Sequence, residues 1–372
     1  MRRRDAALAL PAAALAALWA VATTVGPFSD TTVNDLFVYR TYAELLAAGQ
    51  LPYVDFGFEY PPLAALPIWL AGLPGRDEAT YAVSFGALMA ACALAGQQLA
   101  ARLAGERRAA LVVAWLLALQ PVVIGASVRT HFDPLPVALA LGGLLALARG
   151  RSQAGFVLLG LGTMTKLFPG LLAVVAVVWL AARGERSAAL RGAATFAAVI
   201  VLVSLPLAGS GYVDSFRFHL DRPVQIESTP ATVLFALGGS EVTGTNLRPD
   251  RFKSNGLDGG HADLVEALFA VARVAAALLA FVALGKVLSP QYVIWLAPFA
   301  ALAWVWGRRA VAALTAAAIV LTHVEFPSRY FDLINEDSEV VLIVAARNVV
   351  LLAALVLLAA SLLRGRRAPA RP

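Results

Sequence analysis

The sequence predicts an all-α fold, a polytopic bundle of about 10–12 transmembrane helices with structured extracytoplasmic loops. Of its 372 residues 60% are hydrophobic and only 15% are charged, whereas a soluble globular domain is about 25% charged. The apolar residues also fall into runs of about 15–25, and about 20 apolar residues in a helix cross the hydrocarbon layer of a membrane. These two observations exclude a soluble enzyme and an intrinsically disordered chain.

Each apolar run between two clusters of charged residues is predicted to be one span. The first run is interpreted as a span and not as a cleaved signal peptide, because it is too long for one. The chain shows no repeat of fixed period and no low-complexity linker, so residues 1–372 are predicted to form a single membrane domain. Residues 263–306 must begin outside and end inside, although they are too few for three full crossings. The predicted spans are 6–25, 79–101, 109–126, 134–148, 154–165, 168–182, 192–208, 263–284, 288–306, 310–325 and 340–363.

The arginine clusters predict how this bundle is oriented. Short cytoplasmic loops are rich in Lys and Arg, so both termini are predicted to lie in the cytoplasm of a multi-pass plasma-membrane protein. The net charge of +6 then faces the anionic lipids of the inner leaflet and does not indicate a nucleic-acid partner. The clusters are Arg2 to Arg4, Arg102 with Arg107 and Arg108, Arg149 with Arg151, Arg183 to Arg191, Arg308 with Arg309, and Arg364 to Arg371.

The first outer loop, residues 26–78, alternates carboxylates, aromatic residues and prolines just beyond a predicted span. A short apolar stretch at 61–73 begins with a proline pair and is predicted to be a helix lying on the outer membrane surface. Long structured loops are often functional, although aromatic residues are also typical of membrane interfaces. Asp35 starts a predicted helical turn, where a helix-capping role and a catalytic role both remain open.

Cations gather at two further places on the predicted outer side. Within the large outer loop, 209–262, the segment 216–228 interleaves cations, aromatic residues and carboxylates around His219, and Arg can hold a phosphate with two parallel hydrogen bonds. Lys166 is predicted at the outer end of a hairpin between two short spans, where snorkelling to the interface and a phosphate contact are alternatives. The spacing of the histidines matches no metal-ligand pattern.

Several functional signatures are absent from the sequence. It has no Walker loop, no dinucleotide-binding glycine motif, no GxSxG and no HExxH. Its predicted inner loops are nearly all too short to form a cytosolic nucleotide site. The one cysteine, Cys92, excludes an intramolecular disulfide.

An ordered set of short segments resembles the GT-C superfamily of membrane glycosyltransferases, and specifically glycosyltransferase family 87. That family includes actinobacterial mannosyltransferases and arabinofuranosyltransferases of cell-envelope assembly. The segments occur in family order and span most of the chain. They are Asp35-Leu36-Phe37-Val38-Tyr39, Tyr60-Pro61-Pro62-Leu63, His131-Phe132-Asp133, Thr165-Lys166-Leu167-Phe168-Pro169, His219 to Ser228, Ser289-Pro290-Gln291-Tyr292 with Trp295, and Arg347-Asn348.

The resemblance implies a polyprenyl-phosphate sugar donor, with mannose favoured over arabinofuranose, and a lipid-linked or polysaccharide acceptor on the outer face of the membrane. It implies that Asp35 is the general base and that the anomeric centre is inverted. A carboxylate within about 2.6–3.2 Å of a hydroxyl can take its proton, and cations can stabilise the leaving phosphate. Lys166, His219 and Arg222 are the predicted cations. A phosphate-activated donor requires neither a metal ion nor a cofactor.

The remaining predicted substrate-binding residues share an outer location and a polar side chain. Two other functions stay open at this point: a lipid transporter or flippase, which commonly shows matched broken helices, and a non-catalytic assembly subunit. The oligomeric state does not follow from these residues. The remaining candidates are Arg40, Asp55, Tyr60, His131, Asp133, Gln225, Glu227, Gln291 and Tyr292.

Overall fold

Helices dominate the protein, which confirms the predicted all-α class. The computed structural model describes residues 2–22, 25–246, 253–259, 261–262, 265, 282–285 and 287–365. Its α-helices, numbered in chain order, are α1 Arg2–Ala22, α2 Leu36–Ala47, α3 Ala65–Ala71, α4 Glu78–Leu103, α5 Arg107–Ala118, α6 Gln120–Val123, α7 Ser127–Thr130, α8 Pro134–Ala148, α9 Ser152–Thr163, α10 Phe168–Ala182, α11 Arg186–Ser204, α12 Ser210–Asp221, α13 Thr229–Leu237, α14 Val293–Val305, α15 Arg309–Glu325, α16 Tyr330–Ile334 and α17 Ser338–Gly365. Short 3₁₀ helices lie at Gly26–Phe28, Pro62–Ala64, Leu205–Leu207 and Pro290–Tyr292.

Three of the described helices are long and apolar enough to cross a membrane: Glu78–Leu103, Arg186–Leu207 and Ser338–Ser361. Other apolar helices in the described part of the chain have 10–17 residues, and a helix of 15 residues is only about 22 Å long. The number of spans therefore stays a prediction. Most of the predicted span 263–284 lies outside the described residues.

The predicted span 109–126 is broken in the structure. Helix α5 ends at Ala118, and the chain continues through the short helices α6 and α7. Pro121 has no N–H to donate to a continuous helix, and Gly125 adopts a φ of +74°, which lies outside the right-handed helical region. This part of the prediction was wrong, because it rested on hydrophobicity alone, and hydrophobicity does not show that Pro121 and Gly125 interrupt the helix.

Close packing of consecutive helices builds the layer from α8 to α11. A Cβ added at Gly143 of α8 would lie 3.0 Å from the main-chain oxygen of Gly155 in α9, and a Cβ added at Gly192 of α11 would lie 2.2 Å from the Phe156 ring. Glycines at such positions let helix backbones approach closely, as is typical of membrane helices.

An aromatic cluster attaches the first outer loop to this bundle. Tyr39 of α2 packs against Phe85 of α4 and Phe132, with ring centroids 5.3 and 5.5 Å apart. Tyr60 meets the Phe132 ring edge-on at 4.9 Å. Such edge and tilted contacts add to the burial of the rings, so the first turn of α2 is held in a defined place.

The predicted short helix at 61–73 forms as a 3₁₀ turn, Pro62–Ala64, that leads into α3. Its Leu63 N–H donates to the main-chain oxygen of Met164 at 2.8 Å, and the Tyr81 hydroxyl donates to the main-chain oxygen of Ile68. The end of the first outer loop is therefore fixed to the turn between α9 and α10, the turn that carries Lys166.

The loop 209–262 contains a small sheet that was not expected from the sequence. Strands β1 Val224–Gln225, β2 Glu241–Asn246 and β3 Lys253–Asp258 form an antiparallel sheet in the order β1-β3-β2. Two of its residues, Val224 and Leu257, pack with Leu234 of α13 and with Val344 of α17. The sheet thereby joins the outer loop to the last long helix.

Candidate functional site

Asp35 lies at the start of α2, but its side chain does not cap that helix. Instead, Asn34 Oδ1 accepts a hydrogen bond from the Leu36 N–H at 2.8 Å. The Asp35 carboxylate is left to accept a hydrogen bond from the Tyr39 hydroxyl at 3.0 Å, and its Oδ2 lies 3.4 Å from His131 Nε2. With 32% of its side chain exposed, Asp35 presents an oriented and accessible carboxylate.

Asp133 and Lys166, predicted separately as substrate ligands, form a buried ion pair in the structure. Lys166 Nζ lies 2.8 Å from each carboxylate oxygen of Asp133, and the Trp295 indole N–H also donates to that carboxylate. The ammonium lies over the rings of Phe132, Tyr292 and Trp295 at 5.1–5.7 Å. Together with Trp295, the pair links three separate parts of the chain. Any phosphate would have to compete with Asp133 for the Lys166 charge.

Glu59 is a carboxylate beside this site that was not among the residues predicted from the sequence. Burial raises the pKa of Glu59, the positive charge of Arg222 opposes that rise, and the negative charge of Asp35 adds to it. The Arg222 guanidinium lies 5.6 Å from the centroid of the Phe218 ring. The charge of Arg222, in the large outer loop, and the charge of Asp35, in the first outer loop, therefore both act on Glu59. The alternation of acidic and aromatic residues contained Glu59, but it gave no reason to choose it over Asp55.

Glu227 and Gln225 lie inside the protein. The Gln225 amide donates to Glu227 Oε2 at 2.8 Å, and the main-chain oxygen of Glu227 accepts hydrogen bonds from the side chains of Arg347 and Asn348. Burial, and then the charge of Glu325, raise the pKa of Glu227, whereas the charge of Arg347 opposes them. The fully buried Glu227 joins the outer loop to α17, a role that the sequence pattern did not suggest.

Two other predicted ligands, Asp55 and Arg40, lie in the first outer loop. The exposed Asp55 closes a turn, because its Oδ2 accepts a hydrogen bond from the Leu51 N–H at 2.7 Å. The pKa of Asp77 is lowered mainly by a hydrogen bond from the Thr80 N–H. The charge of Arg40, on α2, adds to this lowering, so Arg40 lies near Asp77.

The remaining candidates come from the second half of the chain. Tyr292 stacks on Trp295 with ring centroids 3.9 Å apart, next to the Lys166 ammonium. Gln291 Oε1 accepts a hydrogen bond from the Ser289 hydroxyl. The side chain of His219 lies outside the described part of the structure. Within the described residues, no three His, Cys, Asp or Glu side chains come together as a metal site.

Comparisons with known proteins agree with this picture of a membrane enzyme. The model of glycosyltransferase family 87 matches residues 58–289. GPI mannosyltransferase 1 of Aspergillus fumigatus is 30% identical over 188 residues, which are 48% of this chain and 44% of the fungal protein. The chain thus aligns with less than half of that relative, and no solved structure matches it. The family match includes His131, Lys166 and Arg222 but begins after Asp35. Because it covers more than half of the sequence, the chain belongs to glycosyltransferase family 87.

Proposed function

We propose that the protein transfers a sugar from a polyprenyl-phosphate donor to a lipid-linked or polysaccharide acceptor on the outer face of the plasma membrane. The observation that carries this proposal is the accessible Asp35 carboxylate, which is released from helix capping and acts electrostatically on Glu59, a carboxylate on which the charge of Arg222 also acts. Mannose is the favoured sugar, and the similarity to a protein named as a mannosyltransferase supports that choice.

Asp35 acts as the general base in this reaction. Its carboxylate takes the proton of the acceptor hydroxyl, and the hydroxyl oxygen forms a bond to the anomeric carbon of the donor. The bond between that carbon and the phosphate oxygen breaks, and its electron pair stays on the phosphate. A single displacement of this kind inverts the anomeric centre. A positioned base contributes about 10²–10⁴-fold to the rate of such a step.

Arg222 stabilises the leaving phosphate. Its guanidinium belongs to the large outer loop, 209–262, and its charge lowers the pKa of Glu59, which the charge of Asp35 raises. Planar guanidinium groups bind phosphate oxygens in pairs, and such a contact strengthens as negative charge develops on the leaving group. Lys166 contributes only by sharing an ammonium that Asp133 already holds, and His219 stays a predicted third cation.

Transfer by the purified, membrane-embedded protein tests the proposal. Polyprenyl-phosphate mannose and polyprenyl-phosphate arabinose are supplied in parallel with a lipid-linked acceptor, and the glycosylated product is measured. Asp35→Asn is expected to lower turnover by about 10²-fold or more. The matched control is Asp214→Asn, which removes an exposed carboxylate paired with Arg217 on the surface and should leave turnover unchanged.

Two outcomes would overturn the proposal. Turnover by Asp35→Asn at the wild-type level, with the variant folded, would exclude Asp35 as the base. Movement of the donor lipid across the bilayer without any new glycosidic bond would identify a transporter instead.

A further inference from the structure

The surroundings of the His131 ring fix the position of one of its hydrogens. Nδ1 lies 3.2 Å from the main-chain oxygen of Ser127 and 3.1 Å from Thr130 Oγ1. A carbonyl oxygen can only accept a hydrogen bond, and the Thr130 hydroxyl donates its own hydrogen to the main-chain oxygen of Ala126. Nδ1 therefore carries a hydrogen, which it donates to these two oxygens.

The second ring nitrogen, Nε2, faces Asp35 Oδ2 at 3.4 Å, and the His131 side chain is only 3% exposed. A nitrogen lone pair and a carboxylate oxygen repel each other unless a hydrogen lies between them. Since Nδ1 already carries one hydrogen, the contact is favourable when a further proton is held between Nε2 and Oδ2. The geometry is thus that of an imidazole–carboxylate pair whose far nitrogen is anchored on the backbone.

Besides its contact with His131, Asp35 Oδ2 accepts a hydrogen bond from a second residue. The hydroxyl of the fully buried Tyr39 donates to it at 3.0 Å. Tyr39 belongs to α2, whereas His131 follows α7, so two separate elements fix the same oxygen. Among the described residues Asp35 Oδ1 has no hydrogen-bond partner. Rotation of the carboxylate is therefore restricted, and Oδ1 is the oxygen left for an incoming group.

We infer that His131 is a positioning residue for Asp35, which holds Oδ2 so that Oδ1 meets the acceptor hydroxyl. This inference rests on the proposed function. It replaces the role predicted from the sequence, in which His131 was a substrate ligand. A base must approach its proton within about 2.6–3.2 Å, and a misplacement of about 1 Å can lower the rate about 10²-fold.

Kinetics of His131 variants test this role. His131→Ala is expected to lower kcat about 10²-fold, while the KM for the donor stays within about twofold of the wild type, because the ring contacts the base and not the donor. His131→Gln retains an N–H that can donate to Oδ2 and should recover part of the lost rate. His261→Gln is the control, since His261 is an exposed histidine of the large outer loop, 209–262.

A double variant separates positioning from substrate binding. If His131 acts only through Asp35, His131→Ala should cause no further loss of turnover in an Asp35→Asn background, because residues that act as a unit are not additive. An increase in the KM for the donor with an unchanged kcat in the single His131→Ala variant would overturn the inference. Wild-type turnover by that variant would also overturn it.

A second measurement does not depend on turnover. The chain has four histidines, so ¹⁵N-histidine NMR of the full-length protein in lipid nanodiscs gives few signals, and His131→Gln identifies those of His131. Asp35→Asn should shift the Nε2 resonance of His131 and leave that of His261 in place. An unchanged His131 resonance would exclude the pair. Failure of the wild-type protein to transfer any sugar would count against the proposed function alone.

Discussion

The side chain of Asp35 is available for chemistry because its neighbour performs the capping. Ser, Thr, Asp and Asn are all favoured at helix starts, so a carboxylate in that position is often occupied by the helix itself. Here Asn34 accepts the hydrogen bond from the Leu36 N–H, and the Asp35 carboxylate turns to Tyr39 and His131. The capping role, which the sequence left open for Asp35, is therefore excluded by this one difference between adjacent residues, and the carboxylate stays available for the proposed chemistry.

The buried ion pair of Lys166 and Asp133 leads to a prediction of stability. Removal of one partner of a buried pair costs about 3–5 kcal/mol, because the other charge remains without compensation. Lys166→Met should therefore lower the Tm strongly, and the double variant with Asp133→Leu should recover most of the loss. Thermal unfolding in detergent measures both.

The exposed pair of Arg183 and Glu185 is the control for this experiment. Arg183→Ala should leave the Tm unchanged, since exposed ion pairs contribute little. A Tm for Lys166→Met equal to that of the wild type would show that the buried pair does not stabilise the fold.

The buried Glu227 predicts a pH dependence of stability. Because burial raises its pKa above the usual value of about 4.3, the folded protein keeps a proton that the unfolded chain releases. This contribution to stability is fully present below pH 4 and falls as the pH rises through the usual value towards the raised one. Glu227→Gln removes the titrating group, so the Tm of this variant should fall less as the pH rises. The difference between its Tm and that of the wild type should therefore grow from pH 4 to pH 8.

Glu241, an exposed carboxylate of the same outer loop, gives the matched comparison. The pH profile of the Tm for Glu241→Gln should follow the wild type. Parallel profiles for Glu227→Gln and the wild type would mean that Glu227 does not hold its proton in the folded protein.

At the scale of elements, the contact between α8 and α9 depends on glycine at one position and not at its neighbour. A Cβ at Gly143 would lie 2.9 Å from Leu159 Cγ and 3.0 Å from the Gly155 oxygen, whereas a Cβ at Gly142 meets only ordinary contacts from 3.4 Å. Gly143→Ala should destabilise the protein by about 1–3 kcal/mol through overpacking. Gly142→Ala should be neutral or stabilising, because Ala is the better helix former.

Thermal unfolding of the two alanine variants checks this difference on one helix. Both substitutions add the same methyl group to adjacent residues, so changes in helix propensity cancel in the comparison. Equal Tm values would show that α8 and α9 can separate slightly without loss of stability, and the close approach would then not be required.

At the scale of the whole molecule, the proposed chemistry requires the start of α2 to lie outside the cell. The orientation predicted from the arginine clusters places α2 outside and the connection between α10 and α11 inside. The single native cysteine, Cys92, can be replaced by Ala, and a reporter cysteine can then be introduced at the exposed positions Phe37 or Ser187.

A membrane-impermeant maleimide added to intact cells should label Phe37→Cys, and it should label Ser187→Cys only after permeabilisation. The reverse pattern would place Asp35 in the cytoplasm, where the proposed reaction on the outer face could not occur. Labelling depends on position alone, so the result does not require an active enzyme.

The sequence by itself determined the class of this protein and indicated the region in which its chemistry is proposed. Composition and the length of apolar runs are local properties, and they predicted an all-α membrane protein because a helix satisfies its own backbone hydrogen bonds. The same local patterns made the first outer loop and the segments around His131 and Lys166 candidates for the functional site. It was wrong where Pro121 and Gly125 interrupt an apolar run.

Only the tertiary structure decided which of these residues meet. Trp295 and Asp133 are 162 positions apart, and Lys166 and Asp133 are 33 apart, so no local pattern could show that the ammonium is already paired. The same holds for the contact of His131 with Asp35, for the position of Glu59 near Arg222, and for the burial of Glu227 against α17. Such contacts depend on how helices and loops pack once the chain has closed on itself, and packing is a property of the whole fold.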